Sequence, residues 1–387
     1  MKVVFAIDSM KGSLSSMECG KAAAQGLLRA IPDAEYEVRP LADGGEGTVQ
    51  AVTTGCGGTF REINVMNPLG KTIRAMYGII ENPNKTAIIE ISAAAGLTLI
   101  PAVDRDPIKT TTYGVGQMIL DALEQGCRHF IIGLGGSATN DAGIGMLQAL
   151  GAYFYDSSGK LLTGDNGYLT GGDLEFVNKV NPEFINPLIS ECTFRIACDV
   201  NNPLYGPKGA SRVFGPQKGL FDSEIEATDK WMERFAKISN EALNKNIDSE
   251  TPGCGAAGGL GFSFKYYLGG ELEPGNRIVI EETNLKNYIS DADIVVTGEG
   301  MLDAQTAMGK APLGIAHIAK VFNKPVIAIV GSVAASFDGD EIPDIDAYFP
   351  IMRRPASIEQ AMDPAAARVN IAATSEQIFR LLSKIKH

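Results

Sequence analysis

The chain of 387 residues has three histidines, one of them the last residue, a single tryptophan, and no C-x-x-C pair among its six cysteines. Zinc-hydrolase and Ser-His-Asp chemistry therefore start with few candidates. Cysteines at 19, 56, 127, 192, 198 and 254 fit neither a disulfide framework nor a zinc spacing. They read as reduced, structural thiols of a cytoplasmic protein. Positive charge is also scarce, with 34 Lys and Arg against 46 Asp and Glu and a formal net charge of −12. A phosphate backbone or an anionic membrane needs a basic face, so neither nucleic acid nor membrane is an expected partner. Long hydrophobic runs are missing as well. The apolar stretch Val3 to Ile7 ends at Asp8, too short for a signal peptide, and no run reaches the length of a membrane span.

What is present is an ordinary globular composition, 45% hydrophobic and 21% charged, at a length that suggests two domains. A strand, a polar glycine-bearing loop and a helix recur at least four times. Residues 2–7 read as a buried strand, 8–13 (DSMKGS) as a loop, and Ser15-Ser16-Met17-Glu18 as a capping box opening a helix to about Ala30. Tyr36 to Leu41 reads as a strand before the acidic glycine loop ADGGEG and a short helix. Residues 59–100 change character: Glu62 to Val65, Ile73 to Ile80 and Thr86 to Ile91 alternate between Asn-Pro and glycine signals, as hairpin strands of a mixed sheet do. Residues 156–190 read as loop with a weak helix. Helices are expected over 224–244, after the glycine run 252–261, over 311–322 and over roughly 365–386, and buried strands over 294–297 and 326–330. The fold class is therefore α/β, in which ligands sit beyond the carboxyl ends of parallel strands.

The richest stretch is 131–145. A short strand runs into paired glycines, then Ser137, Thr139, Asn140 and Asp141, then an apolar helical pattern. Gly135 and Gly136 let backbone amides approach a ligand, and the following helix directs its free N–H groups at the same spot, giving an anion pocket. A tight turn with Asn140 or Asp141 as N-cap is the plainer alternative. Two familiar phosphate motifs fail. The tail Gly70-Lys71-Thr72 of a P-loop has Val65 where the first glycine belongs, and Gly133-Leu134-Gly135-Gly136-Ser137-Ala138 meets the dinucleotide pattern only in its looser, alanine-ended form. Acidic loops carrying Asp8, Asp43, Asp141, Asp199 and Asp303, with Lys11, Lys218 and Lys310, suit Mg²⁺-assisted phosphoryl transfer instead.

Seven separated segments then carry a resemblance: DSMKGSLS (8–15), LADGGEGTV (41–49), IIGLGGSATNDAG (131–143), ACDVNNPL (197–204), VFGPQKG (213–219), GAAGGLG (255–261) and GEGMLDAQTAMGKAPLG (298–314). In this order the chain resembles the bacterial glycerate kinases of type I over essentially its whole length. The resemblance implies transfer of the γ-phosphoryl of Mg-ATP to a hydroxyl of D-glycerate, giving 2- or 3-phosphoglycerate and ADP. It also implies a two-domain α/β fold: a Rossmann-like parallel domain from 1–58 and 287–387, an inserted mixed-sheet domain from 59–286, and an active site in the cleft. A monomer or homodimer is expected.

Lys11, Asp43, Asp141, Asp199, Lys218, Glu299, Asp303 and Lys310 match the family's residue types. Asp199 is the expected general base, with Asp141 as the second candidate and Lys11 beside the chemistry. Lys11, Ser13, Gly135, Gly136, Ser137, Thr139, Asn140, Asn201, Lys218 and Lys310 are expected to bind substrate or phosphate, and Asp43, Glu299 and Asp303 the Mg²⁺. Two positions depart from the family: Met301 stands where arginine usually follows GEG, and Gln117 where glutamate is common. Loss of both members of an ion pair would leave activity intact. Two other classes compete: a silent sensor of small hydroxy acids, supported by Met301, and an NAD(P)-dependent oxidoreductase using the 131–145 loop. The latter lacks an acidic residue at the ribose-binding distance.

Overall fold

The computed structural model describes residues 1–42, 44–81, 83–303, 311–335, 337 and 342–385. It divides into two compact units, one formed by Met1–Asp43, Gln50–Cys56 and Asn276–His387, the other by Gly44–Val49 and Gly57–Gly275. The division falls after Cys56 and after Gly275, where boundaries at 58 and 287 were expected. The segment 44–49 falls with the second unit because Gly133 leaves no room beside it: a Cβ there would sit 2.6 Å from the Gly44 carbonyl oxygen.

In the first unit, Lys2–Ile7, Glu35–Val38, Ile294–Gly298, Val326–Val330 and Ala347–Pro350 form a sheet in which every pairing is parallel. In space, Lys2–Ile7 lies between Glu35–Val38 and Ile294–Gly298, with Val326–Val330 and Ala347–Pro350 following outward. That is the doubly wound order 2-1-3-4-5, whose direction reverses between the first and third strands. Alternation along Lys2–Ile7 explains why both faces are covered. Val3, Phe5 and Ile7 enter one core with Ala23 and Leu27 of the Ser16–Ala30 helix and Ile371 and Phe379 of the Pro364–Ile385 helix. Val4 and Ala6 enter another with Ile289, Ile315 and Ala319. Ser15 caps the first helix reciprocally with Glu18, as the sequence predicts. Small residues let the two helices meet closely, since a Cβ on Gly26 would lie 2.2 Å from the Ala372 carbonyl oxygen.

The second unit has a six-stranded mixed sheet. Lys85–Glu90, His129–Gly133, Thr193–Ala197 and Glu271–Glu273 run parallel, and the hairpin strands Thr72–Glu81 and Thr59–Met66 extend it antiparallel beyond Lys85–Glu90. The Tyr113–Glu124 helix is tied to this hairpin by Arg61, whose Nε and Nη2 donate to Asp121 at 2.6 and 2.9 Å, and by the Tyr77 hydroxyl, which donates to Asp121 at 2.6 Å. Chiefly through the Arg61 contact, Asp121 is held below the usual carboxylate range. Tyr77 is fully buried, so Tyr77→Phe removes one charge-assisted hydrogen bond and is expected to cost about 2 kcal/mol in a urea titration. An unchanged midpoint would show that the contact contributes nothing.

Residues 156–190, expected as loop with a weak helix, instead hold parts of a small antiparallel sheet and two 3₁₀ turns. Tyr153–Tyr155 pairs with Leu161–Leu162 and with Lys179–Asn181. The strands are only two or three residues long, too short for periodicity to reveal. Among the described residues no helix is long and apolar enough to cross a membrane.

Candidate active site

The first unit gathers its polar loops where the strand order reverses. The Asp8 amide donates to the Gly298 carbonyl at 2.8 Å, so the loop after Lys2–Ile7 and the loop after Ile294–Gly298 leave the sheet side by side. Strand closeness demands glycine at 298, where a Cβ would sit 1.8 Å from the Ile329 carbonyl oxygen. Asp8 turns its Oδ1 back to accept the Ser9 amide at 2.7 Å. Met10 and Leu14 close a tight bridge that leaves Lys11 exposed at its tip, while the buried Ser13 Oγ has no hydrogen-bond partner among the described residues. From the other loop come Glu299, 7% exposed, and the half-buried Asp303. Asp43 and Lys310 lie outside the described residues.

These carboxylates are hard oxygen donors, the chemistry Mg²⁺ selects. Among the described residues no three His, Cys, Asp or Glu side chains converge as a cage. Mg²⁺ ordinarily needs only one or two carboxylates, with phosphate oxygens and water completing its shell. Glu299 and Asp303 are of the donor type such a metal takes.

The second unit has its own site at the carboxyl ends of its parallel strands. Glu90 ends one strand, and its Oε1 accepts the Val49 amide at 2.8 Å, serving the start of the Thr48–Gly55 helix. Burial pushes the Glu90 carboxyl upward, against the pull of the Val49, Gly47 and Thr48 amides. Glu46, the acidic side chain of the 44–47 loop, is exposed. Beyond His129–Gly133 comes the loop 134–143. Asp141 is its hub: Oδ2 accepts the Thr112 amide at 2.9 Å, the Thr112 hydroxyl at 2.7 Å and the Gly145 amide at 3.3 Å, and Oδ1 accepts Gly143 N at 3.0 Å. The Met146 amide donates to Thr112 Oγ1 at 2.9 Å.

The helix N-terminus that was expected to face a ligand is thus occupied by the protein's own carboxylate and hydroxyl. The cap residue itself is Gly143 at φ +78°, neither Asn140 nor Asp141. Burial raises the Asp141 pKa above the usual carboxylate range, and the donors at Thr112, Gly143 and Gly145 oppose that shift. A dinucleotide pyrophosphate would need those same amides, which removes the structural basis for the oxidoreductase reading.

Lys218, expected from the sequence to bind substrate or phosphate, is 2% exposed. The Pro216–Lys218 turn delivers its Nζ to Ser137 Oγ at 2.8 Å and to the Thr139 carbonyl at 2.7 Å. The Ala210–Phe214 helix brings Ser211, whose Oγ accepts Asn140 Nδ2 at 2.9 Å. Thr139 Oγ1 and Asn140 Oδ1 are buried without a partner among the described residues. Ser137, Thr139, Asn140, Asp141 and Lys218 therefore come together. Asp199 and Asn201 follow the neighbouring Thr193–Ala197 strand and are exposed, with Asp199 Oδ1 accepting the Gly275 amide at 3.0 Å. Sequence reasoning missed Thr112, Ser211 and Glu90. The run Thr110-Thr111-Thr112 before a helix was a visible signal; Ser211 and Glu90 gave none beyond their polarity in apolar surroundings. Gln117 has a task within this unit, since its Oε1 accepts the Met66 amide at 2.8 Å, so its presence needs no lost ion pair with position 301. Met301 is 48% exposed.

A doubly wound sheet ending in acidic loops, and a mixed sheet with a glycine-rich loop backed by a buried lysine, define an α/β protein equipped to handle small anions. Residues 3–383 match the model of the glycerate kinase family, and the chain belongs to that family. It is 43% identical to the glycerate 2-kinase of Escherichia coli K12, over 97% of this chain and 98% of the relative. It is 42% identical to the glycerate kinase of Bacillus subtilis 168, over 95% and 94% of the two chains. A crystal structure of a candidate glycerate kinase 2 from Salmonella typhimurium LT2 superposes with a TM-score of 0.89 at 41% identity, covering 100% of this chain and 99% of that one.

Proposed function

We propose that the chain transfers the γ-phosphoryl group of ATP to the 2-hydroxyl of D-glycerate, giving 2-phosphoglycerate and ADP. The observation that carries this reading is the full-length match to kinases of glycerate, with a relative whose activity is at the 2-position. In the second unit, Ser137 and the amides of Gly135 and Gly136 take the substrate carboxylate. The partnerless Thr139 Oγ1 and Asn140 Oδ1 are acceptors for a substrate hydroxyl. Asp199 accepts the proton of the reacting hydroxyl, whose oxygen then bonds to the γ-phosphorus as the bond to the β-phosphate oxygen breaks and ADP leaves. Asn201, on the same loop, orients that substrate end. Asp141 acts by shaping the loop and not by exchanging protons.

In the first unit, Lys11, Ser13 and Lys310 would bind nucleotide phosphates, and Glu299, Asp303 and Asp43 would hold Mg²⁺. When bound, that ion would neutralise charge between the phosphates. A cytoplasmic setting is in keeping with six free thiols, those of Cys19 and Cys254 pushed up to about 12 by burial. Phosphorus NMR of the product tests the position of transfer. A 2-phosphoglycerate signal is expected, and 3-phosphoglycerate as the sole product would overturn the regiochemistry.

A further inference from the structure

Ser137 and the Lys218 that contacts it are both buried, at 8% and 2% exposed. An ammonium group only donates hydrogen bonds, so at 2.8 Å the Ser137 Oγ must accept from Lys218 Nζ. The one hydroxyl proton of Ser137 is thereby turned away from the lysine. Its main-chain N–H is turned away too. Ser137 and Gly96 form an isolated antiparallel bridge closed by the amides of their neighbours, Leu97 to Gly136 O and Ala138 to Ala95 O, each at 2.8 Å. In such a pair the central residues direct their own N–H groups out of the bridge. Ser137 therefore offers two donors, O–H and N–H, beside Gly136 at φ +73°.

We propose that Lys218 is a positioning residue for the acid substrate: it never touches the bound acid, but holds Ser137 so that hydroxyl and amide donate together to the carboxylate. The inference rests on the glycerate-binding role given above to the 135–137 loop, and it changes the role expected of Lys218 from direct anion contact to action through Ser137. The device has a charge requirement. A neutral amine carries a lone pair, onto which the Ser137 hydroxyl turns as donor, leaving an oxygen lone pair to face the carboxylate. Burial pushes the Lys218 amine down to about 7, with Asp141 as the charged group pulling it upward. The Thr139 carbonyl faces Lys218, Ser211 faces Asn140 and Thr112 faces Asp141; the other charged residue packed here is Arg105, whose main chain and Cβ lie against Gly219.

The sign follows directly. Lys218 is charged below its folded pKa and loses its proton above it, so acid binding is strong at low pH and weakens as pH rises through about 7. A bound carboxylate favours the charged amine, so the effect falls on KM and little on kcat. The test is steady-state kinetics of the full chain from pH 6 to 9, with Mg-ATP saturating and D-glycerate varied. Wild-type kcat/KM for glycerate is expected to fall about tenfold in all between pH 6 and 9, centred on roughly pH 7, with kcat changing less. Ser137→Ala should raise KM about tenfold and flatten that fall, and Lys218→Met should do the same if it folds. Ser137→Ala decides the matter because it deletes one oxygen and leaves the lysine in place. A flat wild-type profile, or a Ser137→Ala profile with the wild-type slope, overturns the inference. Complete absence of glycerate-dependent turnover in the wild type would instead overturn the kinase reading and this inference with it.

Discussion

Asp199→Asn is expected to lower kcat by about 10²–10⁴-fold, the span that general-base help usually supplies, while KM for glycerate moves by much less. The substitution isolates proton acceptance. The Gly275 amide donates to Asp199 Oδ1 at 3.0 Å, and an asparagine keeps that oxygen. Its side chain is exposed, so the swap neither buries an unpaired group nor opens a cavity. Melting temperature should therefore stay near wild type. Turnover within a few-fold of wild type would remove Asp199 from the role of base, and the proton would have to leave by another group. A loss of turnover with a matching loss of stability would mean that the loop, not the proton, had been disturbed.

Asp141→Asn should behave in the opposite way, with stability failing first. Four donors converge on this carboxylate: the Thr112 amide and hydroxyl, Gly143 N and Gly145 N. Asparagine offers one acceptor oxygen, and its NH₂ group would face N–H groups where the second oxygen was. Asp141 is completely buried, so the orphaned donors cannot turn to bulk water. Each unsatisfied donor costs about 1–3 kcal/mol, and the sum is expected to reach about 3 kcal/mol or more. That corresponds to a fall in Tm of roughly 6–12 °C for a domain of this size, read by calorimetry. The same carboxylate supports Lys218 electrostatically, so the variant should also shift the lysine further towards its neutral form. A Tm within 2 °C of wild type, by the same roughly 2–4 °C per kcal/mol, would show that Asp141 is not the hub of the loop.

Alternation and loop chemistry made much of the fold legible. The hairpin Thr59–Met66 with Thr72–Glu81 and the capped helix Ser16–Ala30 could be read from residue order. What could not be read was which side of a loop each polar group faces. Asp141 and Asp199 are both aspartates in loops beyond sheet strands. One is consumed by Thr112, 29 residues away, and the other stands exposed. Lys218 lies 81 residues from Ser137, and only the folded Pro216–Lys218 turn reveals that the two touch. Residues 44–49 join the second unit through Glu90 and Gly133, contacts that no local pattern encodes. Local periodicity reports burial and capping; it carries no information on long-range donor–acceptor pairing, which is where the candidate site is made.

Release of ADP from Mg-ATP, measured with D-glycerate, with L-glycerate and with no acceptor, tests the assignment most directly. ADP formation that depends on D-glycerate, with little above background in the other two arms, is the predicted result. Binding of D-glycerate without ADP release would contradict phosphoryl transfer and return the chain to a sensor of small hydroxy acids.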